Sequence, residues 1–277
     1  MKLAVVTVNY KTYHLTNEFI LSLQKAGLDV KDRHLFIVDV SPTPVPFEDQ
    51  DNVTVMLSAN KGYANGVNVG LKYAIKQGYD GFVIINNDTQ VETRFLISVE
   101  ESISKNPASI IGGKIYYAPG FEYHKDRYQK KDLGKVIWYA GGKCDWENVM
   151  TTHVGVDEVD EGQFNKKIET EFMTGCLMCF DKKTLDKVGY FDESYFLYYE
   201  DADWCERAKN KKIKLIYDPS IIIWHKNSQS TGGPGSEVHS RYQERNRLMF
   251  GLKYAPFRTK AHLLKNYFAD LKFIPRK

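Results

Sequence analysis

The chain has 277 residues, enough to bury a full core and to form one large domain or two modest ones. It is 43% hydrophobic, 26% charged and 13% aromatic, a globular balance that excludes disordered and fibrous classes. Its net charge of +3 is uneven: seven Lys or Arg and one acid, Asp270, fall between Lys253 and Lys277, and the remainder is weakly acidic. That distribution argues against nucleic acid as a partner and marks the tail as the part suited to an anionic surface.

In chain order, "KLAVVTV" predicts a short buried strand, and "HLTNEFILSLQKAG" a helix with Leu15, Phe19, Leu23 and Ala26 on one face, stopped at Gly27. "HLFIVDV" and "NVTVML" predict two more strands. "YANGVNVGLKYAIKQG" predicts a helix from about Asn65 to Gly78. "GFVIIN", "TRFLISVEESISKN" and "SIIGGKIYY" read as strand, helix and strand. This alternation over residues 1–115 argues for an α/β fold with a mostly parallel sheet flanked by helices.

Residues 118–167 are polar, rich in Lys, Asp and Tyr, and lack a long period, so irregular loops and short antiparallel strands are expected. "TEFMTGCLMCF" restores an apolar signal. Helices "DKKTLDKVG" and "EDADWCERAKN" and strands "KIKLIY" and "IIIWH" follow, then helices near Val238–Tyr254 and Thr259–Phe273. The expected organisation is one α/β domain with a regular half (1–115) and a less regular half (116–252), followed by a basic amphipathic C-terminal helix (253–277).

Cys176 and Cys179 form a C-x-x-C inside an apolar stretch, with no second pair at zinc spacing, so all four cysteines are expected to be reduced thiols. No run of about 18 apolar residues appears. The N-terminus lacks signal-peptide anatomy, so the expected location is the cytoplasm.

Ligands of open α/β sheets gather beyond the carboxyl ends of the strands. The polar residues just past strands one, two and four, namely Asn9–Lys11, Asp39 and Asn86–Asp88, should therefore meet. "NKGYANGVNVG" adds Gly62 and Gly66, which permit close backbone approach before a helix N-terminus. "FDESYFLYYEDADWCERA" places Glu200, Asp201 and Asp203 in one helical turn behind an aromatic run. Such acids suit the helix dipole, and in a lined cavity one of them could serve as a general base. "IIIWHKNSQST" ends a strand on Trp224 and His225, the latter a residue type able to ligate metal.

In this order and spacing, over about residues 3–250, the motifs resemble the inverting, GT-A fold glycosyltransferases of family 2, particularly bacterial rhamnosyltransferase-like members. The resemblance implies that Asp201 is the catalytic base. It implies that Asn9, Asp39, Asn60, Gly62, Asn68, Asn86, Asn87, Asp88 and Arg245 bind the nucleotide sugar. Glu200, Asp203 and Trp224 fall in the acceptor or sugar pocket. Asp88, His225 and Asn86 would hold a divalent ion, Mn²⁺ or Mg²⁺. Two departures stand out: N-x-D replaces D-x-D, and "VDVS" replaces the more usual Asp-Asn.

The function implied is inverting transfer from a nucleoside-diphosphate sugar, dTDP-rhamnose by motif wording or otherwise a UDP-hexose. The acceptor would be a hydroxyl of a glycan or lipid-linked oligosaccharide in bacterial surface polysaccharide synthesis. Two rivals are a sugar nucleotidyltransferase and a non-catalytic sugar-nucleotide-binding protein. The first usually has a glycine-rich basic loop where this chain has "NYKTYH", and the second has no use for Asp201. The tail is expected either to pack with a solvated basic side or to lie on the inner face of the plasma membrane.

Overall fold

The sheet orders its strands so that the ends of distant segments converge along one edge. The computed structural model describes residues 1–48, 50–227 and 237–272, with backbone alone at 237–239 and 268–272. The first half builds β1 (Leu3–Asn9), α1 (Tyr13–Lys25), β2 (Arg33–Asp39), β3 (Val53–Leu57), α2 (Tyr63–Lys76) and β4 (Gly81–Ile85). β5 (Thr89–Val91), α3 (Phe95–Lys105) and β6 (Ser109–Tyr117) follow. The middle supplies β7 (Ile137–Tyr139), a hairpin of β8 (Gly142–Asp145) and β9 (Met150–His153), and β10 (Ile168–Glu169). The chain then forms β11 (Leu177–Asp181), α4 (Lys182–Val188), α5 (Glu200–Asn210), β12 (Lys214–His225), α6 (Glu237–Tyr254) and α7 (Phe257–Lys272).

Among the described residues the main sheet has ten strands, in the order β10-β12-β6-β11-β4-β1-β2-β3, with β5 beside β12 and β7 beside β6. The longest pairings, β6 with β12 and β1 with β2, are parallel. β11 runs antiparallel between β4 and β6, so its start lies beside the end of β4, with Leu177 opposite Ile85. β1 and β4 are buried along their whole length, as strands covered on both faces should be.

The glycines of α2 serve packing. A Cβ on Gly66 would meet Val8 at 2.9 Å and one on Gly70 would meet Val6 at 2.4 Å, so α2 lies tight against the sheet. The two strands predicted over 212–217 and 221–225 are one strand, β12, with a register shift between Asp218 and Ile222. β5 has no counterpart among the predicted elements. Cys176, Cys179 and Cys205 are buried and, like the less buried Cys144, unbonded to one another, as expected.

Among the described residues no helix is long and apolar enough to cross a membrane. In α7, Leu263 is buried against the body, while Phe257 is 86% exposed and Leu264 and Tyr267 are also exposed. The side chains of Phe268, Leu271 and Lys272, and all of Phe273, lie outside the described residues.

Candidate functional site

The strand ends meet as the sheet rule predicts. Asn9 and Asp39 are partners in the β1–β2 register, and the Asn9 amide donates to Asp39 Oδ1 at 3.0 Å. The Asn87 amide, just past β4, donates to the Thr12 and Thr16 hydroxyls at 2.8 and 2.7 Å and stands 3.1 Å from Asn9 Oδ1. This buried network fixes the turn that carries Asn86–Asp88. Asp39 is wholly engaged in it: Ser41 donates its N–H and hydroxyl to Oδ1, and the Tyr13 hydroxyl donates to Oδ2.

Above this edge opens a cleft of about 790 Å³. Its walls bring together Asn60, Gly62, Asn86, Asn87, Asp88, Glu200, Asp201 and His225 from the sequence-derived set. Gly62 has φ +98°, and a Cβ there would strike Phe196 O at 2.3 Å, so only glycine fits. The neighbouring Tyr63 N–H donates to that same carbonyl at 2.8 Å, so the first donor of α2 binds the chain itself. The Tyr63 hydroxyl lies 3.1 Å from both Asn86 Oδ1 and Gly175 O and tethers the two turns.

Tyr198 and Tyr199 enter α5 in the left-handed region, each with φ +69°, a conformation that costs an aromatic residue about 1–3 kcal/mol. Neighbouring contacts over-determine the segment. The buried Asn246 amide donates to Leu197 O and Tyr198 O at 2.8 and 2.9 Å, and the Tyr199 hydroxyl donates to Val149 O at 2.9 Å. Asn68 pins the same loop from α2 by accepting from Phe191 N–H and donating to Phe191 O and Glu193.

The entry so constrained presents Glu200 and Asp201 to the cleft. Asp201 Oδ2 accepts from Gly175 N–H and Oδ1 from Ala202 N–H, both at 2.8 Å. Burial raises its pKa above the ordinary carboxylate value, and these backbone donors oppose the rise. Glu200 is 6% exposed, and its Oε2 has no hydrogen-bond partner. Burial, then the charge of Asp201, hold it well above its ordinary value. Of the two acids, Glu200 is thus held further above its ordinary value than Asp201.

His225 Nε2 stands 3.1 Å from Asp88 Oδ1, yet neither ring nitrogen makes a hydrogen bond of good geometry although the residue is buried. Among the described residues no three His, Cys, Asp or Glu form a metal-binding group. The sequence-derived set therefore places two residues of metal-ligating type, Asp88 and His225, side by side. Asn86 offers a neutral oxygen near the Tyr63 hydroxyl. An unsatisfied buried imidazole beside a carboxylate fits a divalent ion whose remaining ligands come from a diphosphate.

Several expected site residues do not line the cleft. Asp203 is fully buried on the opposite side of α5, bound by Arg207 at 2.7 Å, Lys253 at 2.5 Å and the Tyr254 hydroxyl at 2.8 Å. Trp224 points away from His225, as adjacent strand residues must, and its indole donates to Gly134 O at 2.9 Å. Arg245 reaches Ser194 O and Asn246 Oδ1, and Arg241, one turn earlier, is the arginine at the cleft. Asn9, Asp39 and Asn68 stand behind the wall as supports.

The sequence reading assigned no role to Trp138, Thr151, His153, Gly175 or Tyr242, all of which line the cleft. Tyr242 stacks on Phe196 with centroids 4.9 Å apart and planes 18° apart. The His153 Nδ1–H donates to Trp138 O at 2.9 Å, and burial pushes the pKa of His153 down to about 4. Tyr10 and Tyr63, which fall within the predicted Asn9–Lys11 set and the glycine-rich segment, also line the cleft.

No family model matches the chain. It is 23% identical over 177 residues to a dTDP-rhamnosyl transferase, RfbF, of Shigella flexneri, covering 62% of this chain and 51% of that protein. It is 21% identical over 160 residues to the low-salt glycan biosynthesis hexosyltransferase Agl10 of Haloferax volcanii, covering 56% and 46%. The matches thus span about half the length of these curated relatives. Among solved structures, GalNAc-T7 with UDP, GalNAc and Mn²⁺ superposes with a TM-score of 0.66 at 15% identity, over 88% of this chain and 48% of that one. The mannosyltransferase PcManGT of Pyrobaculum calidifontis, in complex with GDP-Man and Mn²⁺, gives 0.55 at 13% identity, over 95% and 69%. The fold is that of the GT-A glycosyltransferases, and the sequence likeness is to rhamnosyltransferase-like members of that class.

Proposed function

We propose that the protein transfers a sugar from a nucleoside-diphosphate donor to a hydroxyl of a glycan or lipid-linked oligosaccharide, with inversion and with Asp201 as base. The observation that carries this reading is the Asp201 carboxylate, held by two backbone donors on the wall of the cleft that also contains Asp88 and His225. Asp201 takes the acceptor hydroxyl's proton as that oxygen bonds to the anomeric carbon and the bond to the diphosphate oxygen breaks. Glu200, kept neutral, donates a hydrogen bond to a sugar hydroxyl. Asp88 and His225, with Asn86 beside them, would hold a divalent ion, Mn²⁺ or Mg²⁺, that offsets charge on the departing diphosphate.

The similarity to a dTDP-rhamnosyl transferase favours dTDP-rhamnose as donor, with UDP-hexoses as the alternatives. The exposed Phe257, Leu264 and Tyr267 on a basic segment support contact with an anionic membrane at the cytoplasmic face. The test is a panel of nucleotide sugars with Mn²⁺ or Mg²⁺, following release of the nucleoside diphosphate. Neither release nor binding with any donor would leave the enzyme reading without support.

A further inference from the structure

The wall of the cleft built by the irregular segment carries groups that the donor, base and metal assignments leave unused. Trp138 lies in β7 between Ile137 and Tyr139, both fully buried, and strand alternation turns its indole the other way, into the cleft. Thr151 and His153 alternate along β9 onto that same wall. The Trp138 ring stands nearly perpendicular to His153, with centroids 4.4 Å apart at 71°, and to His225, at 4.6 Å and 77°. Among the described residues no hydrogen bond engages its indole N–H.

His153 has a defined tautomer. The Trp138 carbonyl only accepts, so the imidazole proton sits on Nδ1 and leaves Nε2 as an acceptor. The wall therefore offers indole surface, one N–H donor, one fixed acceptor and the Thr151 hydroxyl, with no formal charge among them. Phe172, stacked on His153 at 6.2 Å and 16°, lies three residues before Gly175, whose N–H holds Asp201. The wall is thus tied to the base.

We propose that Trp138, His153 and Thr151 form the acceptor subsite and that it takes an uncharged pyranose. The apolar C–H face of the ring lies on the indole, and hydroxyls reach His153 Nε2 and Thr151. A pyranose has this combination of one apolar face and a rim of donors and acceptors. A uronate or a phosphate needs a cation, and the only Lys or Arg lining the described cleft is Arg241, on α6. A bare alkyl alcohol would leave the Trp138, His153 and Thr151 polar groups unpaired. The proposal rests on the glycosyltransferase reading and adds the chemical class of the acceptor ring.

Saturation-transfer NMR tests it on the whole chain with Mn²⁺ and UDP or dTDP. The probes are the methyl pyranosides of glucose, galactose and rhamnose, together with methyl glucuronide. The neutral pyranosides are expected to bind with their ring C–H protons most strongly saturated, and the glucuronide at least about tenfold more weakly. Trp138→Ala should weaken the neutral probes about tenfold, and Trp138→Phe and Thr151→Val each about threefold. Circular dichroism reports whether each variant folds, and the two conservative variants carry the test if Trp138→Ala does not. Unchanged affinity in all folded variants, or a preference for the glucuronide, overturns the subsite. So does the absence of pyranoside binding by a wild-type chain that binds UDP or dTDP. If the wild type binds neither nucleotide, the underlying glycosyltransferase reading fails, and the subsite with it.

Discussion

Asp201 Oδ2 accepts a 2.8 Å hydrogen bond from the backbone N–H of Gly175, which joins the start of α5 to the turn before β11. A side chain at position 175 would crowd the same carboxylate, since a Cβ there lies 3.3 Å from Asp201 Cβ. The Asp201 carboxylate is thus aimed by backbone and by the lack of a side chain opposite it.

Replacing Asp201 by Asn keeps the shape and removes the proton acceptor. Transfer is expected to fall about 10³-fold, within the range for loss of a general base. Binding of the nucleotide sugar, read by calorimetry, should stay within a few-fold of wild type. Normal transfer by the variant would remove Asp201 from the mechanism, and loss of donor binding as well would make it a structural residue.

Much of this arrangement was legible because two periodicities were. The strand-end rule brought Asn86, Asp88 and His225 to one edge, and a helix start marked Glu200 and Asp201. The same periodicities explain the expectations that failed. Asp203 lies two residues past Asp201, roughly 200° around the helix, so the two acids face opposite sides. Trp224 precedes His225 on a strand and must point to the other face. Trp138 and His153 were hidden because β7 and β9 span three and four residues, too short for any period to rise above a polar background.

Glu200 carries a pH signature. Its folded pKa lies well above 4.5, so the folded state keeps a proton that the unfolded chain releases. Stability from this group is therefore complete below pH 4.5 and declines as pH rises towards the folded value, by up to about 1.4 kcal/mol per unit. Glu200→Gln does not titrate and should be the more stable protein at neutral pH, with no advantage at pH 4. Urea unfolding at several pH values measures this, and an advantage independent of pH would contradict the neutral-acid assignment.

Asp203 holds α5 to α6 through Lys253 and Tyr254 and is paired within α5 to Arg207. Asp203→Ala leaves Arg207 without its carboxylate and Lys253 with only Asp192, at 3.4 Å. Because Lys253 is 43% exposed and can turn to water, the expected loss is about 2–3 kcal/mol, below the full cost of a stranded buried charge. Urea unfolding should show it. The donor KM should move little, since Asp203 does not line the cleft. A rise in KM without loss of stability would put Asp203 back in the site.

The division of labour between Asn86 and Asp88 follows from their partners. Asp88 is a carboxylate 3.1 Å from the buried imidazole of His225. Asn86 contributes a neutral oxygen already near the Tyr63 hydroxyl. Asp88→Ala is therefore expected to lower transfer about 100-fold or more, and Asn86→Ala about tenfold or less. His225→Ala should shift the Mn²⁺ concentration for half activity upward about 10–100-fold, the usual scale for disturbing a metal's surroundings. Chelation by EDTA should silence the wild type, and Mn²⁺ should restore it. Equal losses at positions 86 and 88 would mean that Asn86 ligates as strongly as the carboxylate. A His225→Ala variant with unaltered Mn²⁺ dependence would leave the imidazole a purely structural neighbour of Trp138, and Asp88 alone would then anchor the ion from the protein side.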